Sequence, residues 1–443
     1  MARRGATIGA AMAERVCVIG AGPCGIAAAK AVLDAGIYDL TVYDRGGEVG
    51  GNWVFDADSG HSSVFETTHI ISSKRYSQYE DHPMPDDFPD YPGHRHLAAY
   101  FQGYARRFGL YPHIRFGVLV ERCEPLAGGR WRVTTRRGDA VTTEEFDWLF
   151  VANGHHWKPR LPSYPGTFSG RTLHSHDFKR AEPFRGERVL VIGGGNSACD
   201  VAVETARVAA RVELSWRRGY WIVPKFGFGV PADHLHNQLF ERFRFVPWRV
   251  RARLLELMLK VMNGPNSAYG LPEPDHRFGA THPTVNSELL YFIRHGDIAV
   301  RPDVARYEGR VVHFTDGTSG EYDAIVACTG FEISHPFFDR TLVDFSSGPV
   351  GLYLRMLHPD HPRLFFVGLF QPLGCIWPAA ELQAKLAVRR MTGAWSPPAD
   401  LRAAIARELA HPDVPQLETP RHTITVDYPA FRRRLLTALE RAA

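Results

Sequence analysis

Two glycine-rich turns, each caught between a short β-branched strand and a helix-forming run, restrict this chain to a doubly wound α/β architecture. The first strand, Arg15-Val16-Cys17-Val18-Ile19, runs into Gly20-Ala21-Gly22-Pro23-Cys24-Gly25. A helical run at 26–33 follows, and an apolar strand at 40–44 completes a right-handed βαβ unit. The pattern recurs at Arg188-Val189-Leu190-Val191-Ile192, through Gly193-Gly194-Gly195-Asn196-Ser197-Ala198, into a helix from about 197 to 209 and a strand at 212–215. In such a loop the first glycine permits the tight turn and the second lets backbone approach a pyrophosphate. The third lets helix pack on strand, and the helix N-terminus offers free amides to the diphosphate.

With 443 residues, 44% of them apolar and 23% charged, the chain is globular and too long for one ordinary core. Further strand-like segments lie at 131–135 and 146–151 between the loops, and at 322–328 and 364–368 after the second. The expected fold is therefore α/β, with two Rossmann-like dinucleotide-binding domains and the second inserted in the first. The expected boundaries are a loose leader at 1–13, with Met12 as an alternative start, and a first domain at 14–160 resumed at 318–443. The second domain is expected at 161–317, with a helical insertion at about 230–280.

Each loop carries its own specificity signals. Asp44, at the end of the strand after Gly20, Gly22 and Gly25, is placed to accept hydrogen bonds from ribose hydroxyls, and Arg45 follows it. Gly51, Asn52 and Trp53 form a small-residue turn able to pass close to a flat ring system, and with Asp44 they make the first loop the FAD site. In the second loop Gly193, Gly195, Asn196 and Ser197 precede Ala198 in the third glycine's place. Its returning strand ends in Ser215-Trp216-Arg217-Arg218 rather than in an acid. Arginine offers a bidentate fork to a 2′-phosphate, which favours NADPH over NADH; surface arginines without a ligand are the alternative.

Between the loops, Phe168-x-Gly170-x-x-x-His174-x-x-x-Phe178-Lys179 matches the fingerprint of the flavin-containing monooxygenases. From about residue 14 to 395 the chain resembles that family, with further likeness in Val151-Ala152-Asn153-Gly154-His155-His156, Asp87-Phe88-Pro89-Asp90-Tyr91-Pro92, Ala327-Cys328-Thr329-Gly330-Phe331 and Glu381-Leu382-Gln383-Ala384. The related Baeyer-Villiger branch carries tryptophan where Phe178 stands. The resemblance implies FAD contacts by Val120 and Gln383, NADP contacts by Asn153 and His174, and a small-molecule substrate with O2 as co-substrate. It also implies transfer of one oxygen from a flavin C4a-hydroperoxide to an amine nitrogen or sulfide sulfur. Oxidation of a ketone, and NADPH oxidation or redox sensing with weak oxygen transfer, stand as alternatives.

One position departs from the family. Many members place asparagine two residues before a Ser-Lys pair near the flavin, and Ser72-Ser73-Lys74 puts Ile71 there. Ile71, Ser72 and Ser73 thus form the expected catalytic segment, with the asparagine's hydrogen bond missing. Its loss leaves four readings. NADP+ and backbone amides suffice; His69, Ser72 or Ser73 substitutes; peroxide leaks; or the register lies one or two residues away.

Other features narrow the partners. Cys17, Cys24, Cys123, Cys199, Cys328 and Cys375 form no C-x-x-C pair, which suits a reducing, cytoplasmic setting and counts against a disulfide reductase. The histidine pairs His94-x-His96, His155-His156 and His234-x-His236 lack carboxylate or cysteine partners at metal-binding spacing, so no metal is expected. A formal charge of +4 without a block of like charges says little about partners, so no nucleic acid is expected, and there is no apolar run of 18 residues that would predict a membrane span. A homodimer is the assembly usual in similar proteins. Trp216, Trp221 and Trp377 read as core or cleft walls. The run 248–262 reads as a basic amphipathic helix; a packed helix with a solvated face is the ordinary interpretation, and membrane or partner binding the other.

Overall fold

In the computed structural model, residues 13–55, 60–242, 245–345, 350–412 and 423–441 are described; Met1, Met12 and all of the expected leader except Ala13 lie outside them. Two five-stranded parallel sheets organise the chain. The first has the order Leu364–Phe366, Trp148–Val151, Glu14–Ile19, Tyr38–Asp44, Ile114–Phe116. The second runs Ile298–Arg301, Arg211–Ser215, Arg188–Ile192, Ala324–Ala327, Arg171–His174. All strands of the second sheet fall between Val151 and Leu364, so the second Rossmann-like unit interrupts the first, as the late strand at 364–368 suggested.

Apolar residues at consecutive strand positions explain why both sheets are covered on both faces. In Glu14–Ile19, Val16 and Val18 point into a core shared with the helices Pro23–Asp34 and Trp377–Met391, while Cys17 and Ile19 enter the opposite core with Trp131, Phe337 and Phe366. Parallel strands buried on both faces need such unbroken apolar runs.

Two sequence expectations change. The strand expected to reopen the first domain, now bounded as Ala324–Ala327, pairs in parallel with Arg188–Ile192 and belongs to the second sheet. The first sheet is re-entered only at Leu364–Phe366, which pairs with Trp148–Val151. Local composition could not assign the strand, since AIVA fits either buried sheet. The insertion holds two helices, Ala232–Arg242 and Trp248–Asn263, where only the second was expected; the polar run that forms the first lacks a strong apolar period.

A buried ionic cluster fastens the second sheet. Glu213, fully buried on Arg211–Ser215, accepts from Arg301 Nε at 2.8 Å and from the Tyr322 hydroxyl and Arg211 guanidinium. Burial pushes its carboxyl up, but hydrogen bonds from Arg301 and Tyr322 and the charges of Arg301 and Arg211 outweigh it and hold it below the ordinary value. The contribution is therefore complete at neutral pH and is lost in acid as pH falls through the depressed value. Replacing Glu213 by Ala should cost about 3 kcal/mol at pH 7, because breaking a buried pair leaves its partners uncompensated. Chemical denaturation at pH 7 checks this; a loss under about 1 kcal/mol would place the cluster among weak surface pairs.

Candidate active site

The glycine loops form by close backbone contact. Gly20 has φ +105°, and a Cβ there would lie 2.6 Å from the Ala152 carbonyl oxygen; a Cβ on Gly25 would lie 1.8 Å from the Gly20 carbonyl oxygen. Gly22 lies against Gly51, whose own Cβ would be 2.9 Å from the Gly22 Cα. Pro23 starts the helix, where its missing N–H costs nothing, and Gly22 supplies no side-chain cap. The first-turn amides are thus left for a ligand.

The second loop repeats the geometry. Gly193 has φ +142° and its Cβ would meet the Cys328 carbonyl oxygen at 2.5 Å. Gly194 is crowded by Trp216 and Tyr220, with contacts of 3.0 and 2.8 Å for an added Cβ. Thr284 Oγ1 donates to the Gly194 carbonyl at 2.8 Å, and Asn196 Oδ1 accepts the Val285 N–H at 2.6 Å. These two bonds bind the loop to the segment after the helical insertion.

One cavity of about 950 Å³ reaches both loops, near the upper end for small-molecule clefts. Gly20, Gly22, Asp44, Arg45, Gly51, Asn52, Trp53 and Val120 line it, as do Ile71, Ser72, Asn153, Gly193, Gly195, Asn196, Ser197, Arg217 and Arg218. Gly25 and Ala198 lie behind it, in the packing role expected of the third loop position. Three expected ligand-contacting or catalytic residues are not on its wall. Gln383 is fully buried and spends its amide on the backbone, accepting from Gly368 N–H at 3.0 Å and donating to the Leu354 carbonyl at 2.9 Å. His174 is buried beside Phe331, its Nδ1 accepting the His176 N–H at 3.1 Å. Ser73 is buried, with its N–H donating to Asp233 at 2.7 Å and its hydroxyl 3.0 Å from His234 Nε2. Ser72 and Ser175, next to Ser73 and His174, do face the cavity, and a motif reports a segment without telling which side chain turns outward.

The residues present fit two dinucleotides. Asp44 accepts the Ala21 and Gly46 amides at 2.5 and 2.6 Å, and its carboxylate retains lone pairs toward the cavity. Burial nevertheless pushes its pKa up, against those two bonds and the charge of Arg45. Arg218 keeps a buried Nε without a protein partner, and so does Arg45. Arg217 is largely exposed, 4.0 Å from Asp303. An anion at the second loop would complete the donor set of Arg218, as an adenosine phosphate does.

Other wall residues, His61, Trp157, Gln371 and 423–425, carry no sequence signal. Arg45 Nη2 donates to His61 Nδ1 at 2.7 Å, and its guanidinium lies 5.1 Å from the Trp157 ring. Burial, then the charges of Arg45 and His176, lower the His61 pKa to about 3, so its ring is neutral and can accept that bond. His155 Nε2 lies 3.2 Å from Gln371 Oε1, and Thr423, Ile424 and Thr425 close the cavity near Gln371. The fingerprint itself is structural: Phe178 packs on Phe65 and Phe184, while Lys179 Nζ donates to the Ser62 and His176 carbonyls at 2.6 and 2.9 Å. It fastens the 61–72 wall to the second domain.

A family model described as flavin-binding monooxygenase-like matches residues 13–434. The chain belongs to that family and is an NADPH-dependent flavin monooxygenase whose cofactors are FAD and NADPH. It is 34% identical over 433 residues to flavin-containing monooxygenase 5 of Oryctolagus cuniculus, covering 94% of this chain and 80% of that protein. Against the N-oxide-forming dimethylaniline monooxygenase 2 of the same species it is 35% identical over 404 residues, covering 87% and 75%. Cyclohexanone monooxygenase from Rhodococcus sp. Phi1 bound to NADP+ shares the fold, with a TM-score of 0.73 at 16% identity over 96% of this chain and 97% of that one.

Asp200, on the helix that follows the second loop and on the cavity wall, accepts from Asn286 Nδ2 at 2.7 Å. Burial raises its pKa to about 6, against the lowering charge of Lys225 and the Asn286 bond. A raised carboxyl lowers stability above that value and not below the ordinary carboxylate pKa. Asp200→Asn should therefore stabilise the protein by about 1 to 2 kcal/mol at pH 8, with the gain vanishing toward pH 4. Denaturation midpoints across pH check it, and a gain independent of pH would exclude this carboxylate as its source.

Proposed function

We propose that this enzyme binds FAD along Gly20, Gly22, Asp44 and Gly51 and NADPH along Gly193, Gly195, Asn196 and Arg218. It transfers one oxygen atom of O2 to an amine nitrogen or sulfide sulfur of a small organic substrate. The observation that carries this reading is the single cavity joining the two loops, which lets one dinucleotide reach the other without leaving the protein. Bound FAD supplies the redox chemistry, passing electrons from NADPH to O2. The chain holds the rings in place and limits water. Trp53 packs edge-on to Trp377 at 6.0 Å, whose Nε1 donates to the Ser77 carbonyl at 2.5 Å, and Ile71 adds an apolar patch. Phe178, where the ketone-oxidising branch has tryptophan, supports the heteroatom as acceptor. Product analysis on amines, sulfides and ketones tests the assignment. N-oxides or sulfoxides agree with it, whereas an ester from a ketone without any sulfoxide would reverse the order.

Ile71 supports a second reading, in which much of the NADPH consumed ends as hydrogen peroxide. Of the side chains that could replace an asparagine donor, Ser72 is engaged with Ser77 at 2.8 Å and Ser73 with His234. His69 spends Nδ1 on the Thr67 carbonyl at 2.7 Å, which leaves Nε2 as its remaining polar atom on the wall. Restoring a donor by Ile71→Asn should raise product formed per NADPH by about fivefold, the worth of one hydrogen bond near 1 kcal/mol. A peroxide assay run beside product analysis checks it, and unchanged coupling would remove Ile71 as the cause.

Arg217 and Arg218 separate the two nicotinamide cofactors. The double change to alanine should raise KM for NADPH by roughly 10- to 100-fold, as loss of charged hydrogen bonds does, and leave NADH unaffected. Steady-state kinetics with both cofactors measure this; an equal rise for NADH would move the 2′-phosphate site elsewhere.

A further inference from the structure

The returning strand of the second loop lacks the terminal acid that receives ribose hydroxyls in an NADH site, yet an acid reaches the same place from the neighbouring strand. Arg211–Ser215 and Ile298–Arg301 pair in parallel, with Ser215 opposite Arg301. Past that pair the two segments stay stitched together. The Trp216 N–H donates to the Arg301 carbonyl at 2.8 Å, and Ser215 Oγ donates to the Pro302 carbonyl at 2.8 Å. Two residues beyond the paired positions stand Arg217 and Asp303, with Arg217 Nε 4.0 Å from Asp303 Oδ2. Both line the cavity, as do Ser215 and Arg218.

The two carboxylate oxygens of Asp303 have different surroundings. Oδ1 accepts the Tyr164 hydroxyl at 2.9 Å and the Val304 N–H at 3.0 Å, which fixes the side chain. Among the described residues Oδ2 has only the contact with Arg217, too long for a hydrogen bond. The Asp303 side chain is 23% exposed and that of Arg217 is 76% exposed, so the acid is held in place while the arginine can swing. Arg301, the nearest other cation on these strand ends, is committed to Glu213 through Nε and Nη2 at 2.8 and 3.2 Å.

We propose that Asp303 sets how strongly this enzyme prefers NADPH over NADH. This role rests on the adenosine ribose of NADPH lying beside Arg217 and Arg218, as proposed above. A ribose held there has its 2′ substituent within reach of the carboxylate as well, because only 4.0 Å separates the two side chains. A 2′-phosphate gains the arginine fork and is opposed by the charge on Oδ2. A 2′-hydroxyl donates to Oδ2, the bond that the strand's own acid makes in an NADH site. Asp303 also draws Arg217 toward itself, a contact that the phosphate must replace. The carboxylate narrows the preference from both sides, and the enzyme accepts both nicotinamide cofactors.

Calorimetric titration of the FAD-loaded enzyme with 2′,5′-ADP and with 5′-AMP tests the proposal, because the two probes differ only in the 2′ group. Asp303→Asn keeps an acceptor for Tyr164 and removes the charge. It should tighten 2′,5′-ADP about threefold to fivefold, the effect of one partly screened charge, and weaken 5′-AMP about fivefold, as an acceptor changed from charged to neutral does. KM for NADPH and for NADH should move in the same two directions, and Asp303→Ser should repeat the pattern. A merely structural role would weaken both probes together. Unchanged affinities, or a loss for both probes, would overturn the proposal. Arg217→Ala with Arg218→Ala shows where a failure lies. If that variant loses 2′,5′-ADP while Asp303→Asn does not respond, the phosphate site stands and the role of Asp303 falls. If neither variant alters 2′,5′-ADP binding, the ribose lies elsewhere and both assignments fall.

Discussion

The close approach of Gly25 to the Gly20 carbonyl, with Ala152 on the other side, governs much of what surrounds it. The space between these backbones admits no Cβ, so the helix Pro23–Asp34 can begin directly above its strand with its first-turn amides unspent. Asp44 then takes the Ala21 amide, fixing the loop to the end of the next strand. The second loop repeats the arrangement with the Cys328 carbonyl as the close neighbour. Each loop is closed by the strand beside it in the sheet, which is why the cavity forms where the strands end.

The seam between the two domains combines the packing of Phe65 on Phe178 with polar bonds. Lys179 ties the Ser62 carbonyl to the His176 carbonyl, and the Glu66 N–H donates to the Lys179 carbonyl. Bonds of this kind hold a defined geometry while contributing modest net stability each. They suit a cleft that must accept and release a dinucleotide. The His155 ring on the wall has its pKa lowered by burial, against its bond with Gln371, and a neutral ring keeps the wall free of added charge.

Ile71 marks where chemistry and packing part. Ser72 pairs with Ser77, and Ser73 is held by Asp233 and His234, so the segment is fixed by its neighbours. An apolar wall excludes water but supplies no hydrogen bond to developing charge. In the proposed second reading, the balance between oxygen transfer and peroxide release turns on that difference.

The amino-acid sequence alone determined the two loops, the nesting of one Rossmann-like unit inside the other, and the family. Glycine spacing and β-branched runs act through local backbone sterics and leave a direct mark on the sequence. The placement of Ala324–Ala327 in the second sheet, and the helix Ala232–Arg242, were decided by long-range pairing and packing. Side-chain direction was decided there too: Gln383, His174 and Ser73 turn to backbone or buried partners, while Arg45 meets His61 and Trp157 on the wall. For the helix Trp248–Asn263, composition showed amphipathic character, and only the fold revealed that both of its faces are apolar, with one left uncovered. Periodicity fixes which residues share a face; what that face meets depends on contacts between residues distant in the chain.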